Sequence, residues 1–287
     1  MRILSLYDGI SCAMLALKRA GISVSRYVAY EIDKYAVACS KANWPGIEHR
    51  GNVIGADFSE FAGFDIVLGG FPCQDLSRAG RLAGLKGKRS VLFWYLVEAI
   101  KIVHPRYFLV ENNVGMPKEA ENTITEALGV APIQIDSALV SAQSRKRLYW
   151  TNIPGVEQPE DRGILLKDIL EDRVPLKYIH SRLAVDYLFR AKMNQRFIQD
   201  AIRNKSICIT ANFCKGVPYN VIKIDGGRLG TTYYRKLTPT ECERLQTLLE
   251  GYTGMLSDTR RYKAIGNGWT VDVVAHILNY INLDELI

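Results

Sequence analysis

Short apolar runs alternate with helix-like segments from the first residue to about residue 150, and this alternation constrains the fold more than any other feature. Strands are expected at Ile3–Leu6, Arg26–Tyr30, Ile66–Leu68, Tyr107–Val110 and Ile133–Leu139, with one more at Arg147–Thr151. Helices are expected at Cys12–Ala20, Lys34–Asn43, Val91–Val103 and Ala120–Leu128. Such a pattern predicts an α/β fold, a doubly wound and mostly parallel sheet with helices on both faces. In these sheets ligands sit outside the carboxyl ends of the strands. The residues just past each apolar run are therefore the ones to read for chemistry.

Residues from about 155 to 232 break the pattern, mixing proline, charge and isolated aromatics. They read as a small irregular lobe inserted into a larger domain made of 1–154 and 233–287. One amphipathic helix is expected within it, around Leu183–Asn204, and a turn at Asp225-Gly226-Gly227. Helix signals return at Thr238-Pro239-Thr240-Glu241, where a threonine cap, a first-turn proline and an acid coincide. The last helix is expected at Val271–Ile281.

A length of 287 residues suits one large domain with a lobe, and 48% hydrophobic with 23% charged residues is ordinary for a soluble globular chain. The net charge of +7 and pI near 9.0 favour a polyanionic partner. Six cysteines, at 12, 39, 73, 208, 214 and 242, include no Cys-x-x-Cys pair. That argues against a zinc knuckle or disulfide framework, so no metal is expected and a reducing compartment is. The chain opens on a strand-like run, with no signal peptide and no membrane-spanning stretch in view, so a cytoplasmic location is expected.

The run Asp65-Ile-Val-Leu-Gly-Gly-Phe71-Pro72-Cys73 ends a strand in two glycines and sets a cysteine at its tip. Tyr107–Val110 ends in Glu111-Asn112-Asn113. If both are strands of one parallel sheet, a thiol and a carboxylate face one cleft. A thiolate there can attack an electron-poor ring carbon, and the carboxyl can hydrogen-bond or protonate the ring. Gly9, between a strand and a helix, lets the backbone approach a ligand. Ser11 and Cys12 stand where the later glycines of a dinucleotide fingerprint belong, which disfavours NAD or FAD. Glu31, ending the second strand, can accept both hydroxyls of a ribose. Arg145 and Arg147 alternate, so both can point to one face. Between Gln74 and Ser90, Arg78, Arg81, Lys86, Lys88 and Arg89 face a single acid, Asp75, and three glycines interrupt them. A loop of this kind can grip phosphate and close over a substrate.

In order along the chain, Leu6-Tyr7-Asp8-Gly9-Ile10-Ser11-Cys12, Tyr30-Glu31-Ile32-Asp33, Gly70-Phe71-Pro72-Cys73-Gln74, Glu111-Asn112-Asn113, Gln143-Ser144-Arg145-Lys146-Arg147, Arg235–Gln246 and Gly266-Asn267-Gly268-Trp269 resemble the motifs of one family. It is the DNA (cytosine-5) methyltransferases that use S-adenosylmethionine. The resemblance implies a Rossmann-like methyltransferase fold in which 155–232 is the target-recognition lobe. It implies that Cys73 adds to C6 of a flipped-out cytosine, that Glu111 binds the N3 and amino edge, and that Arg145 and Arg147 hold O2 and position Glu111 or a phosphate. The cofactor would be met by Tyr7, Asp8, Gly9, Ile10, Cys12, Glu31, Ile32, Val53, Pro72, Leu92, Asn267 and Gly268. Asn52 stands where an acid usually meets the adenine amino group, with Asp57 as a substitute. Double-stranded DNA would be met by Phe71, Gln74, Ser77, Arg78, Arg81, Lys86, Lys88 and Arg89. The location implied is a bacterial or phage-infected cell, in contact with DNA.

A transfer-RNA cytosine-5 methyltransferase on the same scaffold shares these motifs. That subfamily carries Cys-Phe-Thr in its target-binding half, where this chain has Asn212-Phe213-Cys214, so DNA is preferred. A catalytically inactive accessory protein would lack the thiol or the acid, and Cys73 and Glu111 are both present.

Overall fold

The computed structural model describes residues 1–72, 91–202, 204–215, 218–225 and 232–282. The elements of the first 151 residues are β1 (Arg2–Leu6), α1 (Cys12–Arg19), β2 (Arg26–Tyr30), α2 (Lys34–Asn43), β3 (Glu48–His49), β4 (Ile66–Gly69) and α3 (Val91–Val103), then β5 (Tyr107–Asn113), α4 (Lys118–Leu128), β6 (Ile133–Asp136), β7 (Gln143–Ser144) and β8 (Lys146–Thr151). There follow α5 (Arg182–Arg190), β9 (Ile198–Gln199), β10 (Ser206–Ile207), β11 (Val221–Ile224), β12 (Tyr233–Arg235), α6 (Pro239–Leu245), α7 (Asp258–Asn267) and α8 (Val271–Leu278). Among the described residues no helix is long and apolar enough to cross a membrane.

The chain divides into two compact units, one of residues 1–136, 146–158 and 271–287, the other of residues 137–145 and 159–270. The first holds a seven-stranded sheet in the order β3-β2-β1-β4-β5-β8-β6. Its first five strands in that order run parallel, and β8 runs antiparallel to both neighbours. This is the expected mostly parallel α/β sheet. Central strand β4 forms as an unbroken apolar run buried on both faces, through Ile66, Val67 and Leu68. Helix α3 buries Phe93, Leu96, Val97, Ala99 and Val103, a spacing that sets one stripe of the helix against the sheet. It approaches so closely that a Cβ on Gly69 would stand 2.9 Å from Leu96 Cδ1 and 3.3 Å from the Leu6 carbonyl oxygen.

The second unit has little regular sheet: β12-β11-β9 in one group and β10-β7 in another. Buried polar pairs organise it. Arg235 donates to both carboxylate oxygens of Glu241 at 2.8 and 2.7 Å. Thr238 and Glu241 form the expected cap of α6, with Pro239 in the first turn. Glu243 accepts the backbone N–H groups of Gly251 and Thr253, both at 2.8 Å, and faces Arg261 at 3.1 Å.

Several expected bounds change, and β5 runs on from Val110 to Asn113. The helix expected over Leu183–Asn204 stops at Arg190, because Ala191 turns extended and Ile198–Gln199 pairs with β11 instead. The strand expected to reach Leu139 ends at Asp136, where a 3-10 turn over Ser137–Leu139 begins. The last helix ends at Leu278 rather than Ile281. Residues 233–270, grouped by sequence with the larger domain, pack with 159–232, as does 137–145. Of the turn expected at Asp225-Gly226-Gly227, the two glycines lie outside the described residues.

Candidate active site

The strand order reverses at β1: β2 and β3 lie on one side of it, β4 and β5 on the other. A crevice opens at such a switch point, outside the carboxyl ends of the two central strands. The turns that border it are 7–11 after β1 and 70–72 after β4.

In the first turn Tyr7, Gly9 and Ser11 are left-handed, with φ of 61°, 59° and 59°. The Asp8 N–H donates to the Tyr30 carbonyl at 3.2 Å, which ties the turn to β2. Glu31 Oε2 accepts the Gly9 N–H at 2.9 Å, and Oε1 accepts those of Ile32 and Asp33 at 2.8 and 2.7 Å. A carboxylate offers about four acceptor positions, so capacity remains for a hydroxyl. Beside it the Ile32 side chain is 75% exposed, an apolar surface suited to a flat ring. The Tyr7 hydroxyl donates to the Leu92 carbonyl at 2.7 Å, and burial pushes this phenol well above its ordinary range. Ile10 and Cys12 are buried, so only their backbone faces the turn. Val53 is buried as well. Asn52 Oδ1 accepts the Ile54 N–H at 3.0 Å, and Asp57 caps the 3-10 turn Phe58–Phe61 through the Ser59 N–H at 2.9 Å. Its bonds to Ser59 hold the exposed Asp57 carboxyl below its usual value.

On the other side of the switch point, Pro72 is half-buried. Phe71 was expected at the DNA; its side chain is 3% exposed and packs on Phe93 with ring centroids 5.1 Å apart. It is a core residue, because Phe93 of α3 receives its ring just past the end of β4. Its carbonyl accepts the side-chain N–H of buried Asn112 at 3.2 Å. Asn112 thus pins the turn that leads to Cys73, a role not read from the sequence, although the residue stands in the same motif as Glu111. Cys73, Gln74, Ser77, Arg78, Arg81, Lys86, Lys88 and Arg89 lie outside the described residues.

Glu111, on β5, meets Arg147, on β8, through a 2.8 Å pair between Oε1 and Nε. Arg145 does not share that face, because β8 begins only at Lys146. It is 4% exposed and donates to the carbonyls of Ile209 and Gly268, both at 2.9 Å, and of Gly266 at 3.4 Å, with Cys208 Sγ at 3.3 Å. Three motifs meet around it, since Gln246 also donates to the carbonyls of Ile265 and Gly268 at 2.9 and 3.0 Å. Between the two bound carbonyls Asn267 remains exposed. A Cβ on Gly266 would lie 2.2 Å from the Thr210 carbonyl carbon, so the two backbones touch there.

Comparison with known proteins agrees with this geometry. The model of the C-5 cytosine-specific DNA methylases matches residues 1–282. A type II methyltransferase, M1.ScrFI of Lactococcus lactis subsp. cremoris, is 26% identical over 302 residues, covering 95% of this chain and 76% of its own. M.NlaX of Neisseria lactamica, also a type II methyltransferase, is 27% identical over 300 residues, covering 96% and 94%. The solved structure of the S. pombe Dnmt2 methyltransferase superposes with a TM-score of 0.78 at 19% identity, over 100% of this chain and 99% of that one, a likeness of fold. With the family model spanning the sheet, the Glu111 motif and the Arg145 cluster together, the chain belongs to the C-5 cytosine-specific DNA methylases, S-adenosylmethionine-dependent enzymes.

Proposed function

We propose that the protein transfers a methyl group to C5 of a cytosine flipped out of double-stranded DNA, through a covalent adduct of Cys73 at C6. The observation that carries this reading is the Glu111–Arg147 pair at the carboxyl edge of the sheet, one strand away from the turn that leads to Cys73. Glu111 hydrogen-bonds the N3 and amino edge of the base and stabilises the charge that develops as C6 is attacked. The Cys73 thiolate bonds to C6, and the displaced electron pair makes C5 nucleophilic. S-adenosylmethionine, when bound, supplies the methyl group on a positively charged sulfur. C5 then loses its proton, the ring double bond re-forms and the thiol leaves.

The left-handed turn 7–11, the spare acceptor capacity of Glu31 and the exposed Ile32 fit a nucleoside carrying a charged sulfur. Glu31 holds the ribose, Ile32 covers the adenine, and either Asn52 or Asp57 receives its amino group. The basic run Arg78–Arg89 and the lobe 155–232 serve duplex DNA, in the cytoplasm. The type II names of the relatives favour a place in restriction and modification.

The second reading is a transfer-RNA substrate. The likeness to Dnmt2 concerns the fold and does not choose between the two. Radiolabelled methyl from S-adenosylmethionine, offered with duplex DNA or with transfer RNA, decides: label in RNA alone overturns the DNA reading. Cys73→Ser abolishes transfer while cofactor binding persists; appreciable turnover by that variant removes Cys73 as nucleophile.

A further inference from the structure

The turn between β1 and α1 is held through side chains, those of Tyr27, Ser40 and His49, that belong to none of the motifs above. Tyr7 and Ser11 carry side chains yet sit in the left-handed region with Gly9, which L residues enter only under constraint. The constraint centres on Asp8. Its Oδ1 accepts the hydroxyls of Ser5 and Tyr27, both at 2.6 Å, and its Oδ2 accepts that of Ser11. The Ser11 oxygen lies 2.6 Å from the Ser40 oxygen, which lies 3.1 Å from His49 Nε2. Ser5, Ser11, Tyr27 and Ser40 are buried. Among the described residues no cation pairs with Asp8.

The direction of each bond follows from the carboxylate. Burial raises this carboxyl above its usual value; in its ionised form it can only accept, and then Ser11 donates to Asp8, Ser40 donates to Ser11, and His49 donates Nε2–H to Ser40. That fixes the tautomer and leaves Nδ1 bare, and Nδ1 is indeed buried without a partner among the described residues. The chain of donors runs from β3 through α2 to the turn. Its far end is Asp8, the residue before Gly9, whose N–H is bound by Glu31.

We propose that Tyr27, Ser40 and His49 are positioning residues for the methyl donor: acting through Asp8 and Ser11, they hold the turn after β1 in the shape that receives it. The inference rests on the reading of this turn as the S-adenosylmethionine site. It is tested on the whole chain by calorimetry with S-adenosylmethionine and by steady-state kinetics on DNA. Tyr27→Phe and Ser40→Ala each raise the Kd and KM for S-adenosylmethionine about tenfold, the scale of one buried hydrogen bond. DNA affinity, and kcat at saturating donor, stay within about twofold. The double variant loses less than the product of the two, since both act on one network. His49→Gln keeps an N–H where Nε2 stood and retains affinity, whereas His49→Leu behaves as Ser40→Ala does. Unchanged donor affinity in Tyr27→Phe and Ser40→Ala overturns the proposal. So does equal weakness of His49→Gln and His49→Leu, which would mean packing alone, or a parallel fall in kcat, DNA affinity and melting temperature. A wild-type chain that binds no S-adenosylmethionine sinks the cofactor reading and the proposal with it.

Discussion

Arg145 and Arg147 stand in one motif, yet they work in different units and in opposite ways. Arg147 pairs with the Glu111 carboxylate at 2.8 Å, strand to strand within the first unit's sheet. Arg145 is sealed among carbonyl oxygens, with a thiol for company. The contrast extends to the units themselves. The first packs aliphatic and aromatic side chains such as Val67, Phe93 and Trp150 into its core and keeps Glu31 nearer the rim, with the Asp8 carboxyl set among buried hydroxyls. The second buries charge outright, in Arg235, Glu241 and Glu243. A packed apolar core leaves rim groups free for chemistry, whereas a small unit without much sheet draws on saturated polar networks for its shape. Such networks are costly to break, because every orphaned partner stays out of water.

The comparison can be broken at its strongest point by Gly266→Ala. With backbone 2.2 Å from the new carbon, the variant loses about 4 kcal/mol of stability, read by denaturant unfolding. A loss below about 1 kcal/mol would mean that the Thr210 segment yields easily.

Glu111→Gln tests the rim in the opposite sense. It lowers methyl transfer at least about a hundredfold, the scale of a positioned electrostatic group, while the melting temperature barely moves. A large drop in melting temperature would make Glu111 a structural ion-pair partner instead.

Replacing each arginine with lysine sharpens the contrast. Arg145→Lys cannot reach the Ile209 and Gly268 carbonyls together and costs about 2 kcal/mol. Arg147→Lys keeps a charge near Glu111 in this largely buried pair and costs about 1 kcal/mol. Equal costs would erase the distinction between a sealed and a poised arginine.

The smallest effect is on pH dependence. Burial, then Lys41, holds the His49 imidazole below its ordinary value, and burial, then Lys236, does the same for His180. An unfolded imidazole takes up a proton near pH 6.5, while the folded ones resist until lower pH. Stability is therefore lost as pH falls through 6.5 and levels off below the folded-state values. His49→Gln and His180→Gln each reduce that loss, seen as a smaller gap between melting temperatures at pH 7.5 and 5.5. A gap unchanged in both variants would assign the acid-side loss to other groups.

Much of the first unit follows from local rules alone. The helices Lys34–Asn43 and Val91–Val103 and the strand Arg26–Tyr30 stand at their expected bounds, since each is a continuous pattern ended by its own turn signals. Glu31 falls just past the end of β2, as expected, whereas β5 runs on to Asn113 and keeps Glu111 inside the strand. What the chain could not announce locally is every feature decided by a partner distant in sequence. Phe71 turned inward because Phe93 was there to receive it. Arg145 left the face of Arg147 because Ile209 and Gly268 offered it carbonyls. The helix after Leu183 ended early because β11 recruited Ile198 and Gln199. Sequence by itself determined the sheet, the order of its turns and the residue types at its carboxyl edge, because periodicity and turn chemistry act over a few residues. Only the tertiary structure decided which polar groups are sealed as scaffold and which stay open, because that depends on which donors and acceptors the folded chain brings within 3 Å or so of each other.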